Sequence, residues 1–263
     1  MKNKARSIRF KSLFFVFILI ASIGSWHSAQ AGTLTEIQQR RKLIVAVKDN
    51  LPLLGFRDRN GNLQGLEIDI ARKLATEIFN NPDAVELVPV ANQDRLKVAI
   101  QGTVDLTIAR VTITPTRSRV VDFSRAYYAD GTAIITTQVN ITKNADLINQ
   151  KVAVLNNSTT IATLQFITPT AQLVGVSSYR QAQELLATGK VVAIAADRSL
   201  LLGWSKTTPN YYLLPDKLST EPLGIVIPKG LQYDPLRELV DRSIQRWKAD
   251  GWLQQRIEYW GLQ

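Results

Sequence analysis

The sequence predicts an α/β protein with two lobes, each a mostly parallel sheet flanked by helices, joined by two hinge crossings with a cleft between them. Continuous apolar runs such as LIVAV and VVAIAA are typical of strands that are buried on both faces. These runs alternate with helical segments, as expected for parallel sheets. The alternation restarts after Gly131, and a late strand with two terminal helices has no place in the second unit. We therefore expect the chain to return to the first lobe.

Residues 1–31 have the composition of a cleavable secretory signal. A basic stretch without acids precedes the apolar run LFFVFILIASIG, and Ala29-Gln30-Ala31 has the small-residue pattern of a cleavage site. The alternative is a membrane anchor, but the run is shorter than the ~20 apolar residues that a span requires. We expect cleavage after Ala31, a mature start near Gly32 and a location beyond the inner membrane.

The composition excludes several classes of site. The chain has no cysteine, which leaves no disulfide and no lipid-bearing cysteine after the signal. Its one histidine, His27, lies in the signal, so neither a zinc site nor a histidine-based triad is expected, and no metal or cofactor. Five of the ten net positive charges lie in the signal, and the mature chain carries 27 basic and 22 acidic residues that are interspersed, which does not favour nucleic-acid binding.

The elements of the first lobe can be placed in order. Thr33 with Glu36 predicts a capping box, and the strand LIVAV follows. A turn-rich loop at 57–65 leads into an amphipathic helix with Leu66, Ile70 and Leu74 on one face. The segments AVELVPV, QDRLKVAIQG and VDLTIARVTI then predict a strand, a helix and a strand.

The second lobe repeats this pattern. TAIITT and KVAVLN predict strands, and SSYRQAQELLATGK predicts a helix with a capping box at Ser178 and Gln181. VVAIAA is a buried strand, EPLGIVI is a further strand, and the remainder is helical. The expected division is lobe 1 at 32–130, lobe 2 at 131–221, and a return to lobe 1 at 222–263.

The stretch RVTITPTRSRVVDFS at 110–124 has the features of a carboxylate site. The carboxyl end of a buried strand opens into the crevice where open α/β sheets bind ligands. Thr114 as N-cap and Pro115 in the first turn place Arg117 within reach of that strand end. A guanidinium beside the Thr112 hydroxyl matches a carboxylate. The alternative is an arginine on a solvated helix face.

The segment DLTIARVTITPTRSRVVDFSRAYYADG resembles the central motif of the periplasmic amino-acid-binding proteins of ABC importers, bacterial solute-binding family 3. The resemblance continues in RKLIVAVKDN, GNLQGLEIDIARKLA, KVAVLNNSTT, VVAIAAD and PLGIVIPKG. It implies a type II periplasmic binding fold whose two lobes close on a ligand. It also implies a periplasmic receptor, not an enzyme, that delivers a free amino acid to a membrane permease.

The resemblance assigns roles in lobe 1. It implies that Arg117 clamps the ligand α-carboxylate with help from Thr112. The backbone at Ala109 and Arg110 matches the site that accepts a hydrogen bond from the α-ammonium. Asp49 matches an acidic position of the cleft.

Lobe 2 contributes residues by the same resemblance. Ser158 and Thr159 lie where a helix N-terminus is expected, and they match positions that donate to the same carboxylate. Asp197 matches the aspartate that binds the ammonium. The alternative for Asp197 is a plain N-cap of the following helix.

The side-chain pocket is expected to be polar. Leu53 and Asn92 stand at or near positions where relatives that bind basic amino acids often have stacking aromatics, and Arg95 is a further candidate for this pocket. The tryptophans are expected in the core rather than at the ligand. With Arg95 and Arg110 near the cleft, we expect glutamate, aspartate, glutamine or asparagine as ligand. The alternative is that both arginines face solvent.

The main alternative function is a dehydratase of the same fold that acts on a prephenate- or arogenate-like substrate. Such an enzyme needs a carboxyl acid in the cleft. Glu67, Glu86 and Glu221 are the candidates.

Overall fold

The computed structural model describes residues 32–262 and confirms the α/β class predicted from the sequence. Two five-stranded sheets with flanking helices form two lobes. The expected signal segment at 1–31 lies outside the described residues. No helix within 32–262 combines the length and hydropathy that crossing a membrane requires.

The strands and helices follow one another along the chain with short connections. The strands are β1 (Leu43–Val47), β2 (Asn50–Leu51), β3 (Gly55–Arg57), β4 (Leu63–Gln64), β5 (Val85–Pro89), β6 (Leu106–Ile108), β7 (Asp122–Phe123), β8 (Tyr128–Asp130), β9 (Thr132–Thr136), β10 (Lys151–Leu155), β11 (Gln172–Val176), β12 (Ala193–Asp197), β13 (Tyr212–Leu213), β14 (Glu221–Leu223) and β15 (Val226–Ile227). The α-helices are α1 (Leu34–Arg40), α2 (Leu66–Phe79), α3 (Lys97–Ile100), α4 (Pro115–Ser118), α5 (Thr160–Ile167), α6 (Tyr179–Ala187), α7 (Arg198–Thr207), α8 (Asp234–Ala249) and α9 (Trp252–Tyr259). Short 3₁₀ turns lie at Asn144–Leu147 and Leu231–Tyr233.

The first sheet has the strand order β5-β1-β6-β15-β7. Strand β1 pairs in parallel with β5 and β6, whereas β15 runs antiparallel to β6 and β7. All five residues of β1 are buried, which explains the continuous apolar run LIVAV. This sheet places the carboxyl ends of β1, β5 and β6 at one edge.

The second sheet has the order β11-β10-β12-β9-β13. Strands β11, β10 and β12 are parallel, and β9 runs antiparallel to β12. The wholly buried strand β12 ends at Asp197, so a carboxylate follows an apolar run at the edge of this sheet.

A two-stranded ribbon of β8 and β14 joins the two sheets. Its register pairs Asp130 with Glu221. The sequence predicts one strand over EPLGIVI, but the structure divides it into β14 of the ribbon and β15 of the first sheet. The break falls at Gly224, where a Cβ atom would lie 2.8 Å from Ile113 Cγ1, so close packing favours glycine.

The helix caps agree closely with the local sequence. Thr33 and Glu36 form the predicted capping box. Thr114 Oγ1 accepts a hydrogen bond from the Arg117 amide at 3.3 Å, and α4 begins at Pro115 as predicted. Ser178 caps α6, but the box there is incomplete because the Gln181 side chain accepts from the amide of the residue before the cap.

The C-terminal helices dock on α2 through tryptophans. Trp247 Nε1 donates to Glu77 Oε1 at 3.1 Å, and Trp260 Nε1 donates to Asp69 Oδ2 at 2.7 Å. Arg256 pairs with the same Asp69 carboxylate at 2.6 Å. The ring of Trp247 is fully buried and that of Trp260 is half-buried, and both N–H groups have acceptors, as expected of tryptophans that pack at a core.

Trp247→Ala should therefore lower the free energy of unfolding by about 3–5 kcal/mol, because Trp247 is fully buried and its loss leaves a cavity. Urea denaturation followed by circular dichroism measures this. Tyr259→Ala serves as the control, since Tyr259 is 69% exposed and its removal should change stability little. Equal losses in the two variants would contradict the proposed docking.

Candidate functional site

A cavity of about 650 Å³ lies between the two sheets. Its walls come from both lobes. The lining includes Lys48, Asn50, Asn92, Arg95, Arg110 and Arg117 from lobe 1, and Asn156, Ser158, Thr159, Tyr179, Asp197 and Trp204 from lobe 2. Most of these residues follow the carboxyl ends of parallel strands, which is where open α/β sheets bind ligands.

Arg117 reaches the cavity from the short helix α4. Its Nη1 donates to the Thr112 carbonyl oxygen at 2.9 Å, which orients the guanidinium beside the strand end. Burial and the neighbouring Arg110 lower the pKa of Arg117 from its usual value. An arginine starts so high that it stays charged at neutral pH. Arg117 is therefore a cation that faces the cavity.

The hydroxyls of Thr112 and Thr159 bind a carboxylate of the protein itself. Both donate to Glu221 Oε2, at 3.0 Å and 2.9 Å. The other oxygen accepts from Thr132 Oγ1 at 3.3 Å and Ser219 Oγ at 3.1 Å. Although burial raises the pKa of Glu221, Arg110 and these hydroxyls bring it below its ordinary value.

The side chain of Arg110 is buried among three carboxylates. Its Nε lies 3.2 Å from Asp130 Oδ2, and its Nη2 lies 2.6 Å from Asp197 Oδ1 and 3.4 Å from Glu221 Oε2. Burial lowers the pKa of Arg110, but the three carboxylates outweigh burial and raise it. The residue has φ +48°, so the strand β6 ends in a left-handed turn that directs this side chain inward.

Asp197 stands at the N-cap position of α7, but its side chain makes no capping hydrogen bond. It accepts from the Tyr179 hydroxyl at 3.3 Å in addition to the ion pair with Arg110. Burial, with the nearby Asp130 and Glu221, raises the pKa of Asp197 to about 6 against the lowering effect of Arg110. The alternative of a plain N-cap therefore accounts for the position of Asp197 at the start of α7, but not for the contacts of its side chain with Arg110 and Tyr179.

Arg95 binds backbone oxygens at the end of β6. Its Nη1 donates to Ala109 O at 3.1 Å and to Arg110 O at 2.6 Å, and its Nε donates to Asn92 O at 2.9 Å. Burial and the charges of Arg110 and Arg117 lower the pKa of Arg95 to about 10. The alternative in which Arg95 and Arg110 both face solvent is excluded by these contacts.

Lys48 supplies a further cation. Its Nζ donates to Val90 O at 2.8 Å. Burial and the charge of Arg95 lower the pKa of Lys48 from its usual value. Like Arg95 and Arg117, it interacts with a backbone carbonyl and has no salt bridge among the residues described.

The structure brings most of the predicted site residues to the cavity. The predicted residues that line it are Asn92, Arg95, Arg110, Arg117, Ser158, Thr159 and Asp197. Ala109 and Thr112 do not line it, although each contacts a residue that does: the Ala109 carbonyl accepts from Arg95, and Thr112 O accepts from Arg117. These placements leave the roles in ligand binding as predictions.

Two predicted residues lie elsewhere. Asp49 pairs with Arg57 at 3.3 Å and its side chain is 33% exposed, contrary to the expectation that it faces the cleft. Side chains alternate across an extended backbone, so its neighbours Lys48 and Asn50 face the cavity instead. Leu53, expected in the side-chain pocket, packs against the hydrophobic core and is absent from the cavity wall.

Aromatic residues line the cavity, which corrects the expectation that it lacks them. Tyr179 and Trp204 are T-shaped neighbours with ring centroids 5.8 Å apart. Sequence reasoning assigned Trp204 to the core and passed over Tyr179. A usable signal was present, because Tyr179 lies three residues after the end of β11, close to the carboxyl end of a parallel strand.

The three acids considered for a dehydratase are not part of the cavity wall. Glu67 is fully buried, accepts from the Tyr127 hydroxyl at 2.5 Å and from the Arg110 amide at 2.6 Å, and has its pKa raised by burial. Glu86 pairs with Lys42 on the surface, and Glu221 is held by the hydroxyls described above. A dehydratase function is therefore not favoured. Within 32–262, no group of three or more His, Cys, Asp or Glu residues is placed to hold a metal ion.

Comparisons with known proteins identify relatives along nearly the whole chain. The family described as bacterial extracellular solute-binding proteins, family 3, matches residues 43–263. The glutamine-binding protein of Geobacillus stearothermophilus is 32% identical over 201 residues, which cover 75% of this chain and 77% of that protein. The ABC transporter glutamine-binding protein GlnH of Bacillus subtilis is 27% identical over 268 residues, 98% of this chain and 97% of the relative.

A solved structure shares the fold. The solute receptor for L-cysteine of Neisseria gonorrhoeae superposes with a TM-score of 0.78 at 29% sequence identity, over 88% of this chain and 94% of that receptor.

The raised pKa of Asp197 predicts a specific pH dependence. Between its ordinary value of 3.8 and about 6, the folded protein binds a proton that the unfolded chain has released. The stability from this proton is complete below pH 4 and is lost as pH rises through 6. The Asp197→Asn variant has no carboxyl group at this position and so does not lose this stability. Its free energy of unfolding, minus that of the original protein, should therefore increase as pH is raised from 4 to 6.

Urea denaturation across that pH range measures the difference. Asp58→Asn gives a control of opposite sign, because hydrogen bonds from the Asn62 and Asn60 amides hold the pKa of Asp58 below its ordinary value. For that variant, stability relative to the original protein should fall as pH rises toward and through the ordinary value of 3.8, so this control is measured at lower pH as well. A flat difference for Asp197→Asn would contradict the assignment.

Proposed function

The chain belongs to family 3 of the bacterial extracellular solute-binding proteins, and we propose that it is the receptor of an ABC importer. It binds a polar or acidic amino acid between its lobes and delivers it to a membrane permease. The observation that carries the proposal is the cavity between the two sheets, into which Arg95 and Arg117 bring guanidinium groups that form no salt bridge among residues 32–262.

Arg117 is the proposed clamp for a ligand carboxylate. Its Nη1 is oriented by Thr112 O at 2.9 Å, which leaves the remaining donors of the guanidinium for the cavity. A guanidinium presents parallel N–H groups that match a carboxylate bidentately. Ser158 Oγ, which is buried without a partner among the described residues, and the N-terminus of α5 add donors from lobe 2.

The charges of the cavity favour glutamate, aspartate, glutamine or asparagine over arginine, lysine or histidine. Lys48, Arg95 and Arg117 would repel a cationic side chain in a desolvated space. Acidic and amide side chains supply acceptors to the same donors. The two relatives named as glutamine-binding proteins support a ligand of this size and polarity.

The hinge is proposed to lie in the ribbon of β8 and β14. The boundaries expected from the sequence, after residues 130 and 221, fall at this ribbon. Lobes that turn about it would enclose the ligand, as in hinge closure around a bound solute.

The proposed compartment is the periplasm. Residues 1–31 carry the signal pattern, and the absence of cysteine leaves no site for a lipid anchor. Mass spectrometry of the exported protein should find an N-terminus near Gly32 without lipid. An intact Met1 on the exported protein would contradict this.

Thermal denaturation with each of the twenty amino acids tests the receptor function. A ligand at 100 times its dissociation constant should add ~2.7 kcal/mol to the free energy of unfolding. Stabilisation by acidic or amide amino acids supports the proposal. Stabilisation by arginine or lysine instead would leave a receptor with a different ligand.

Arg117→Gln should weaken binding of the identified ligand by about 2–5 kcal/mol, because the ligand carboxylate loses its charged partner. Isothermal titration calorimetry measures the change. Arg119→Gln is the matched control: it lies two residues along the same short segment, is exposed and should bind normally. Binding within tenfold of the original by Arg117→Gln would rule out the clamp.

A further inference from the structure

The acceptors that would receive a ligand α-ammonium are already occupied by arginines of the protein. Asp197 Oδ1 is 2.6 Å from Arg110 Nη2, and its Oδ2 accepts from the Tyr179 hydroxyl. The carbonyl oxygens of Ala109 and Arg110 accept from Arg95 Nη1 at 3.1 Å and 2.6 Å. A guanidinium therefore stands at Asp197 Oδ1 and at both carbonyl oxygens, and a hydroxyl stands at Asp197 Oδ2.

The groups left for a ligand are donors. Arg95, Arg117 and Lys48 bind only backbone oxygens of the described residues. Two guanidinium groups and an ammonium without a carboxylate partner can neutralise two carboxylates, and arginine forks bind carboxylates bidentately.

The charge balance of the wall points the same way. Among the ionisable carboxyl and basic groups that line the cavity, Asp197 is the one acid, against Lys48, Arg95, Arg110, Arg117 and Arg180. Arg110 forms ion pairs with Asp130, Asp197 and Glu221. The negative charge of Asp197 is therefore already neutralised and does not compensate the other cations of the wall. Burial, followed by repulsion from Arg110, lowers the pKa of Arg95 and of Arg117, and the more distant Asp197 only partly offsets this, as expected of cations packed together without a carboxylate in contact.

We propose that this cleft selects a small dicarboxylate, and that the Arg110 guanidinium takes the place of the ligand α-ammonium. A 2-oxo or 2-hydroxy dicarboxylic acid then binds at least as tightly as the acidic amino acid of the same length. The inference rests on the proposed receptor function, but it moves the preferred ligand from polar and acidic amino acids to dicarboxylates, with or without an α-ammonium. Arg110 is a specificity-determining residue in this arrangement.

The physical reason is like-charge repulsion. An α-ammonium near Asp197 would approach the guanidinium of Arg110, and one near the Ala109 carbonyl would approach that of Arg95. In a desolvated cavity, neither contact is screened by water. Replacing the ammonium by a keto or hydroxyl oxygen removes the repulsion and adds an acceptor for the same arginines.

Calorimetry with the unaltered protein decides the question. The probes are glutamate, 2-oxoglutarate, 2-hydroxyglutarate, glutarate and glutamine, with aspartate, oxaloacetate, malate and succinate as the shorter series. In the series that binds, the dissociation constants of the oxo and hydroxy acids should equal or lie below that of the amino acid. Glutamine should bind at least tenfold more weakly than glutarate if the longer series binds.

Arg110→Gly tests the role of the guanidinium. Glycine adopts the left-handed backbone found at this position, φ +48°, without strain. The variant frees Asp197 to accept an ammonium, so the preference should shift at least tenfold toward the amino acid. Arg95→Gln should weaken the dicarboxylates more than tenfold, and Lys97→Gln, an exposed neighbour, is the matched control.

Each outcome either supports or overturns the inference. If glutamate or aspartate binds more than tenfold tighter than its oxo and hydroxy analogues, the receptor function stands and the inference is wrong. If glutamine or arginine binds and none of the dicarboxylates does, the receptor function likewise stands and the inference is wrong. If neither an amino acid nor a dicarboxylate binds, both the inference and the proposed receptor function are wrong. Because these measurements use the unaltered protein, they remain decisive even if Arg110→Gly fails to fold.

Discussion

The ion pairs of Arg110 connect every part of the structure that meets at the cavity. Its guanidinium comes from the end of β6 in lobe 1, Asp130 and Glu221 come from the ribbon, and Asp197 ends β12 in lobe 2. Buried carboxylates are costly unless they are paired and hydrogen-bonded. Three acids in one buried place therefore share this one cation, which links lobe 1, the ribbon and lobe 2.

This constraint also determines the chemistry of the cavity. The hydroxyls of Thr112 and Thr159 donate to the carboxylate of Glu221, and the carboxylate of Asp197 pairs with the guanidinium of Arg110. Groups that were expected to bind the carboxylate and the ammonium of an amino acid therefore have partners within the protein. The remaining cations, Lys48, Arg95 and Arg117, line the cavity, and none of them has a salt bridge to an acid within 32–262. Since Asp130 and Glu221 are paired in the ribbon, the charge balance of the site is coupled to the segment that links the lobes.

The parts that were predictable from the sequence are those set by local interactions. Buried strands showed as apolar runs, the box at Thr33 and Glu36 and the cap at Thr114 formed as predicted, and the α/β class followed from the alternation. Arg117 belongs to this group, because an N-cap, a proline and one helical turn place its side chain without help from distant residues. The resemblance to the family added the roles that such a placement serves.

The sequence by itself therefore determined the elements, their order and most residues near the strand ends. Only the tertiary structure decided which side of an extended segment faces the cavity, so that Lys48 and Asn50 line it and Asp49 does not. It also decided that Trp204 lines the cavity and that Glu221, 111 residues from Arg110, joins it in one network. The physical reason is that the direction of a side chain and its ion pairs depend on contacts between segments far apart in the chain. The residues next to it in the sequence do not determine these contacts.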